Sequence, residues 1–230
     1  MTQGQGWVVY LDVYGFAAMV DTDANAAIVA RSLSTCHKRS IEFLTSGELV
    51  PEIYMFSDSV YLFYPVLERR HKYNPVLETC FLQVRKVLDI FTDDRLPLRG
   101  GIAYGNVWRS KIVLIGPPIA RAHSNEARIR APVVWLPGDE CLPHPSSSEL
   151  DADAAFLEMV ELKGVKGENV EVLGRVITPG ITGFTDLVED IYRKCVLQRM
   201  PSNVVTAWES AKNWIEHSVQ RGRNHGYDRD

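Results

Sequence analysis

Glu52–Phe56 and Val60–Tyr64 are β-type runs separated only by Ser57-Asp58-Ser59, and so short a link forces them into an antiparallel hairpin. Leu98–Tyr104 and Val107–Ile115 flank Gly105-Asn106 and predict a second hairpin. Segments of helical period surround them. Ala24–Leu44 carries Ile28, Leu33, Ile41 and Leu44 and stops at Gly47. A second segment opens at Pro75 and runs through Phe81, Val84, Leu88 and Phe91. Hairpins interleaved with helices exclude a doubly wound parallel sheet and predict an α+β fold.

The rest follows the same alternation. Trp7–Val13 reads as a buried first strand closed by Tyr14-Gly15, Pro117–Arg130 as a helix, and Pro132–Leu136 as a strand. Leu142–Ser148 is loop-like. Phe156–Val160 and Val170–Ile177 read as strands around Lys163-Gly164-Val165-Lys166-Gly167. Helices near Phe184–Met200 and Ser202–Gln220 close the chain. At 230 residues this is one domain, 1–181, with a helical extension over 182–230.

A net charge of -4 argues against a nucleic-acid partner, whose footprint is a basic excess. The four cysteines form no CxxC pair, so neither zinc nor a disulfide framework is expected. The N-terminus lacks a signal-peptide pattern, and no stretch reaches the roughly 18 apolar residues of a membrane helix. The expectation is a cytoplasmic protein with no membrane partner.

Two carboxylates stand out by position. Asp12 interrupts an apolar strand, and Asp58 sits at a hairpin tip. A buried acid is costly unless paired or bound to metal, and hard oxygen ligands suit Mg²⁺ or Mn²⁺. The plainer alternative is an Asp capping the next helix and an Asp in a β-turn.

YLDVYGF (Tyr10–Phe16) resembles the first-aspartate strand of class III adenylate and guanylate cyclases. YMFSDSVYLF (Tyr54–Phe63) resembles their second-aspartate hairpin, with Ser57 where the family usually has Gly. LRGGIAYGNV (Leu98–Val107), IGPPIARAHSNEAR (Ile115–Arg128) and ELKGVKGENVEVLGRV (Glu161–Val176) are similar to three later motifs, in the same order. The resemblance implies a ferredoxin-like βαββαβ core and a homodimer with sites at the interface. It also implies a nucleoside triphosphate substrate and two Mn²⁺ or Mg²⁺ ions per site.

By the same resemblance, Asp12 and Asp58 with the Val13 carbonyl hold metal, and Gly15 and Phe16 border the substrate. Arg99 binds phosphate, and Lys163 reaches the triphosphate from the partner protomer. Purine cyclases read the base with a Lys and an Asp; Tyr54 and Val113 stand at those positions here. The transition-state Asn and Arg fall on Ala120 and Ser124, leaving Arg121, Asn125 and Arg128 as candidate replacements, Arg121 foremost. These departures resemble the stand-alone pyrimidine cyclases of bacterial Pycsar anti-phage systems. That implies conversion of UTP to cyclic UMP, sensed by a separate cyclic-nucleotide-binding effector. The alternatives are a cytidylate cyclase, a purine cyclase, and a degenerate domain that binds nucleotide without catalysis.

Overall fold

The computed structural model describes residues 1–66, 73–128, 132–137, 158–163, 169–177, 179, 181–197, 205–206, 208–209 and 211–213. Its elements run β1 (Thr2–Val13), α1 (Phe16–Met19), α2 (Asp23–Thr45), β2 (Glu52–Phe56), β3 (Ser59–Pro65), α3 (Tyr73–Asp93), β4 (Leu98–Arg109) and β5 (Leu114–Ile115). Then follow α4 (Pro117–Ala127), β6 (Val134–Pro137), β7 (Glu158–Lys163), β8 (Asn169–Ile177) and α5 (Ile181–Leu197). One sheet of order β2-β3-β1-β4-β6-β8-β7 joins the strands, with β5 paired to β4. Only the β4–β6 pairing is parallel among the registers of this sheet. The first four strands with α2 and α3 form the expected βαββαβ core, and the α+β class holds.

Strand β1 lies at the centre, between β3 and β4, with α2 and α3 over one face and α4 over the other, and its sequence reads as a near-continuous apolar run. Trp7, Val9, Leu11 and Val13 face one way, into a core with Cys36 and Leu44 of α2 and with Cys80, Val84, Leu88 and Phe91 of α3. Val8 and Tyr10 face the other way, with Phe63, Ala103, Val107 and Ala122 of α4. Burying a large side chain such as Leu11 is worth roughly 1.5–3 kcal/mol, so this alternation pins the register of β1. Asp12 shares the parity of Val8 and Tyr10 and belongs to the α4 side.

Helix α4 comes unusually close to β4. A Cβ at Gly101 would lie 2.0 Å from the Ala122 carbonyl oxygen and 2.7 Å from the Glu126 nitrogen. Only glycine admits that contact, which sets α4 directly over the sheet beside Arg99.

The second expected hairpin is not formed. Gly105-Asn106 has turn chemistry, yet β4 passes through it unbroken, with Gly105 opposite Gly6 and Asn106 opposite Gln5 in the ladder with β1. Pairing with the twelve-residue β1 outweighs the local turn preference. The reversal comes later, where the Ser110 N–H donates to the Val113 carbonyl and β5 pairs back onto Trp108 and Arg109. Helix α4 ends at Ala127, short of the expected Arg130. The loop-like Leu142–Ser148 and the closing part of the last predicted helix lie outside the described residues.

Among the described residues, an ion pair and a ring contact help tie the C-terminal segment to the core. Arg95 pairs with Asp190 of α5 at 2.8 Å. Trp208, 3% exposed, meets Tyr14 edge-on at 4.8 Å. No helix among the described residues is long and apolar enough to cross a membrane.

Candidate active site

The β2–β3 connection is a two-residue turn, Ser57-Asp58, closed by the pair Phe56–Ser59. Ser57 has φ 56°, the left-handed conformation that a type II′ turn demands at its first central position. That is the physical reason glycine suits this position. Ser59 in turn stands opposite Asp12 in the β1–β3 ladder, which brings the hairpin tip to the end of β1.

The two sequence-predicted acids are thereby brought together. Burial is the main cause that raises the Asp12 pKa, and the nearby Asp58 raises it further through like charge and a shared hydrogen bond. The Ser59 hydroxyl and Arg99 act in the opposite sense. Ser59 Oγ donates to Asp12 Oδ1 at 3.0 Å, and Arg99 Nη2 lies 3.6 Å from Asp12 Oδ2. No group of three or more His, Cys, Asp or Glu side chains with metal-binding geometry occurs among the described residues. A hard divalent cation held by two carboxylates and a backbone carbonyl would keep positions open for phosphate oxygens and water.

Arg99 sits opposite Asp12 in the β1–β4 ladder, its guanidinium 5.5 Å from the centre of the Tyr14 ring. Its Nε contacts the Glu126 carboxylate, a close ion pair without the alignment of a good hydrogen bond. Glu126 is 3% exposed, and burial raises its pKa against the lowering effect of Arg99. Sequence reasoning passed over Glu126. Its signal was a carboxylate on the same stripe of α4 as Pro118, Ala122 and Asn125, the face turned to the sheet.

Gly15 caps α1 with φ 79°, and Phe16, partly buried, packs against the large core. Trp208 covers the turn, its ring 3.6 Å from where a Gly15 Cβ would stand.

On the α4 face a row of aromatics extends from the acids across the sheet. Tyr10 pairs with Tyr61 at 4.8 Å between ring centres, Tyr61 stands opposite Tyr54 on β2, and His123 of α4 lies 5.1 Å from Tyr10. The Tyr54 hydroxyl is 3.0 Å from both Glu52 Oε2 and the Ser110 carbonyl. The Val113 carbonyl accepts from the Ser110 N–H, so Val113 belongs to the turn that the Tyr54 hydroxyl reaches. The Tyr54 pKa is pushed up to about 12, first by burial and then by Glu52.

The helix candidates separate. Arg121 donates to the Tyr104 carbonyl, and Tyr104 lies five residues from Arg99 along β4, about 17 Å at ~3.4 Å per residue. Arg121 is therefore not brought to the aspartates of the same chain. Asn125 is buried and donates to the Ile102 carbonyl at 3.0 Å, a structural bond. Arg128 caps α4. Lys163 ends β7 opposite Asn169, with its side chain outside the described residues.

No protein-family model matches the chain, and no curated protein does. Solved structures do. The guanylyl cyclase Cya2 superposes with a TM-score of 0.52 at 16% identity, over 78% of this chain and 94% of that one. The catalytic core of a rhodopsin-guanylyl cyclase with converted specificity, in complex with ATPαS, gives 0.51 at 11%, over 77% and 97%. A class III adenylyl cyclase-like ATP-binding protein from Pseudomonas aeruginosa gives 0.51 at 12%, over 98% of this chain and 46% of that one. The chain has the class III cyclase fold.

Proposed function

We propose that this protein is a pyrimidine nucleotide cyclase that converts UTP to 3′,5′-cyclic UMP and diphosphate. The observation that carries the reading is the meeting of Asp12 and Asp58 beside Arg99, on a fold shared with solved cyclases. In this reaction the ribose 3′-hydroxyl gives up its proton to solvent, its oxygen bonds to the α-phosphorus and the α–β bridge breaks, releasing diphosphate. The residues fit a divalent cation, because two half-buried carboxylates that repel each other gain from a positive charge between them. Asp12, Asp58 and the Val13 carbonyl would hold Mn²⁺ or Mg²⁺, which supplies Lewis-acid stabilisation of the attacking and leaving oxygens.

The chain's own residues do the rest. Arg99, with Nε against Glu126 and Nη2 3.6 Å from Asp12, would turn its remaining guanidinium N–H groups to a phosphate oxygen. The Gly15–Phe16 turn borders the triphosphate. Tyr54 and Val113 border the base, where a bulky ring and an apolar side chain favour a pyrimidine over a purine, with CTP the second choice. Arg121, far from the acids of its own protomer, and Lys163 serve a partner's site in a homodimer. Mixing the Asp12→Ala and Lys163→Ala proteins tests that assembly, since mixed dimers would regain one intact site. As a pyrimidine cyclase it would act in anti-phage defence, its product read by a separate effector.

The deciding experiment is the mass of product formed from an equimolar mixture of the four NTPs with Mn²⁺. Cyclic UMP in excess is expected. Predominant cyclic AMP or cyclic GMP would return the protein to the purine cyclases, and tight NTP binding without product would make it a binding module.

A further inference from the structure

The Asp12 carboxylate is held by a hydrogen-bond chain through Ser59 and Tyr10. Ser59 stands directly across the ladder from Asp12, and its hydroxyl donates to Asp12 Oδ1 at 3.0 Å. The Tyr10 hydroxyl lies 3.3 Å from the same Ser59 oxygen. A serine hydroxyl has one proton, and here it is spent on Asp12. The Tyr10 hydroxyl must then be the donor in the second bond, so the chain runs one way: Tyr10 to Ser59 to Asp12. Tyr10 cannot easily swing aside, because its ring is flanked by Tyr61 at 4.8 Å and His123 at 5.1 Å. Bonds aligned in series polarise one another, which strengthens the last one, onto the carboxylate.

From this geometry we infer that Ser59, backed by Tyr10, is the positioning residue that fixes the Asp12 carboxylate for cation binding. The inference rests on the proposed role of Asp12 as a metal ligand. Oδ1 is restrained by Ser59 while Oδ2 faces Arg99, so the rotamer of Asp12 is set before any cation arrives. Partners of this kind orient a ligand and remove the entropy cost of ordering it at the moment of binding. Ser59 touches neither nucleotide nor phosphate in this role and acts only through Asp12.

Free Mn²⁺ titrated by electron paramagnetic resonance against the full chain, without nucleotide, reads affinity independently of turnover. Ser59→Ala is expected to weaken Mn²⁺ binding by about tenfold. Ser59→Thr keeps the hydroxyl on a side chain that suits a strand and is expected to stay within about threefold of wild type. Tyr10→Phe preserves the ring packing and should give a smaller loss of about threefold. If Ser59→Ala binds Mn²⁺ as wild type does, while Asp12→Asn does not bind it, the positioning role is overturned and the metal reading stands. If Asp12→Asn binds as tightly as wild type, the metal reading itself fails. Should Ser59→Ala not fold, unchanged affinity in Tyr10→Phe together with a tenfold loss in Ser59→Thr would overturn the chain.

Discussion

Arg99 reaches from the edge of the site to Glu126, a carboxylate that α4 holds 3% exposed beneath it. The pair exists because Gly101 lets α4 settle onto β4 one turn away. It is the part of the site that joins the helix to the sheet.

Glu126→Ala would remove the buried carboxylate beside Arg99, leaving Asp12 at 3.6 Å as its remaining acidic partner, and is expected to cost about 1–2 kcal/mol. Glu126→Gln keeps an acceptor and should cost less. The two also differ with pH. Because its folded pKa is raised, Glu126 binds protons more readily in the folded chain. Its contribution is most favourable at low pH and is lost as pH rises through that raised value. The stability of wild type relative to Glu126→Gln should therefore fall as pH rises from the unfolded carboxylate range towards neutrality, read by urea unfolding at several pH values. A difference that grows with pH would contradict the direction of the shift.

Asp58→Asn should act oppositely on stability and on activity. Removing the charge that crowds Asp12 is expected to stabilise the cation-free protein by about 1 kcal/mol, or roughly 3 °C in Tm. Turnover with Mn²⁺ should fall by ~10²-fold or more, as loss of several kcal/mol of charge stabilisation requires. Thermal melts and a coupled diphosphate assay check the two halves. A variant both less stable and fully active would refute the pairing of the two acids.

The turn at Gly15 separates conformational strain from crowding. A Cβ there would meet Trp208 at 3.6 Å, ordinary contact, so Gly15→Ala is costly through its φ of 79° alone, by about 1–2 kcal/mol. Trp208→Ala removes a buried ring from the Tyr14 edge and is expected to cost about 3–5 kcal/mol. Both should raise KM for the nucleotide more than they lower kcat, since the turn borders the triphosphate in the proposed site. Denaturant unfolding and steady-state kinetics give the comparison.

What could be read from the sequence follows from how local each signal was. The β1 apolar run, the helix read at Ala24–Leu44 and the hairpin at Ser57-Asp58-Ser59 are set by neighbours in the chain, and each forms near its expected place. Strand β1 starts earlier, at Thr2, the helix runs Asp23–Thr45 and the turn narrows to Ser57-Asp58. The Gly105-Asn106 turn failed because its alternative, a ladder with β1, depends on residues a hundred positions away. Glu126 was hidden for a similar reason. A glutamate in a polar helix looks solvated until the Gly101 contact shows that its face is the buried one. Trp208 signals nothing locally, since only the folded C-terminal segment brings it to Tyr14.

Tyr54 supplies the sharpest test of substrate choice. Its hydroxyl can donate to Glu52 or to the Ser110 carbonyl, both 3.0 Å away, so its one proton is already engaged by the protein. A base would then meet the ring and its bulk rather than a free donor. Tyr54→Phe should accordingly keep the preference for UTP within about threefold, losing only a half-exposed hydrogen bond of about 1 kcal/mol. Tyr54→Ala opens the pocket and should erode a UTP-over-ATP preference expected to be at least ~10²-fold in kcat/KM. Arg109 adds a control. It holds Glu52 at 2.7 Å, so Arg109→Met frees Glu52 without touching the ring and should leave selectivity closer to wild type than Tyr54→Ala does. Selectivity measured with paired nucleotides in one reaction removes errors in enzyme concentration. If Tyr54→Phe loses the preference as fully as Tyr54→Ala, the hydroxyl reads the base directly, and its bonds to Glu52 and Ser110 must break when substrate arrives.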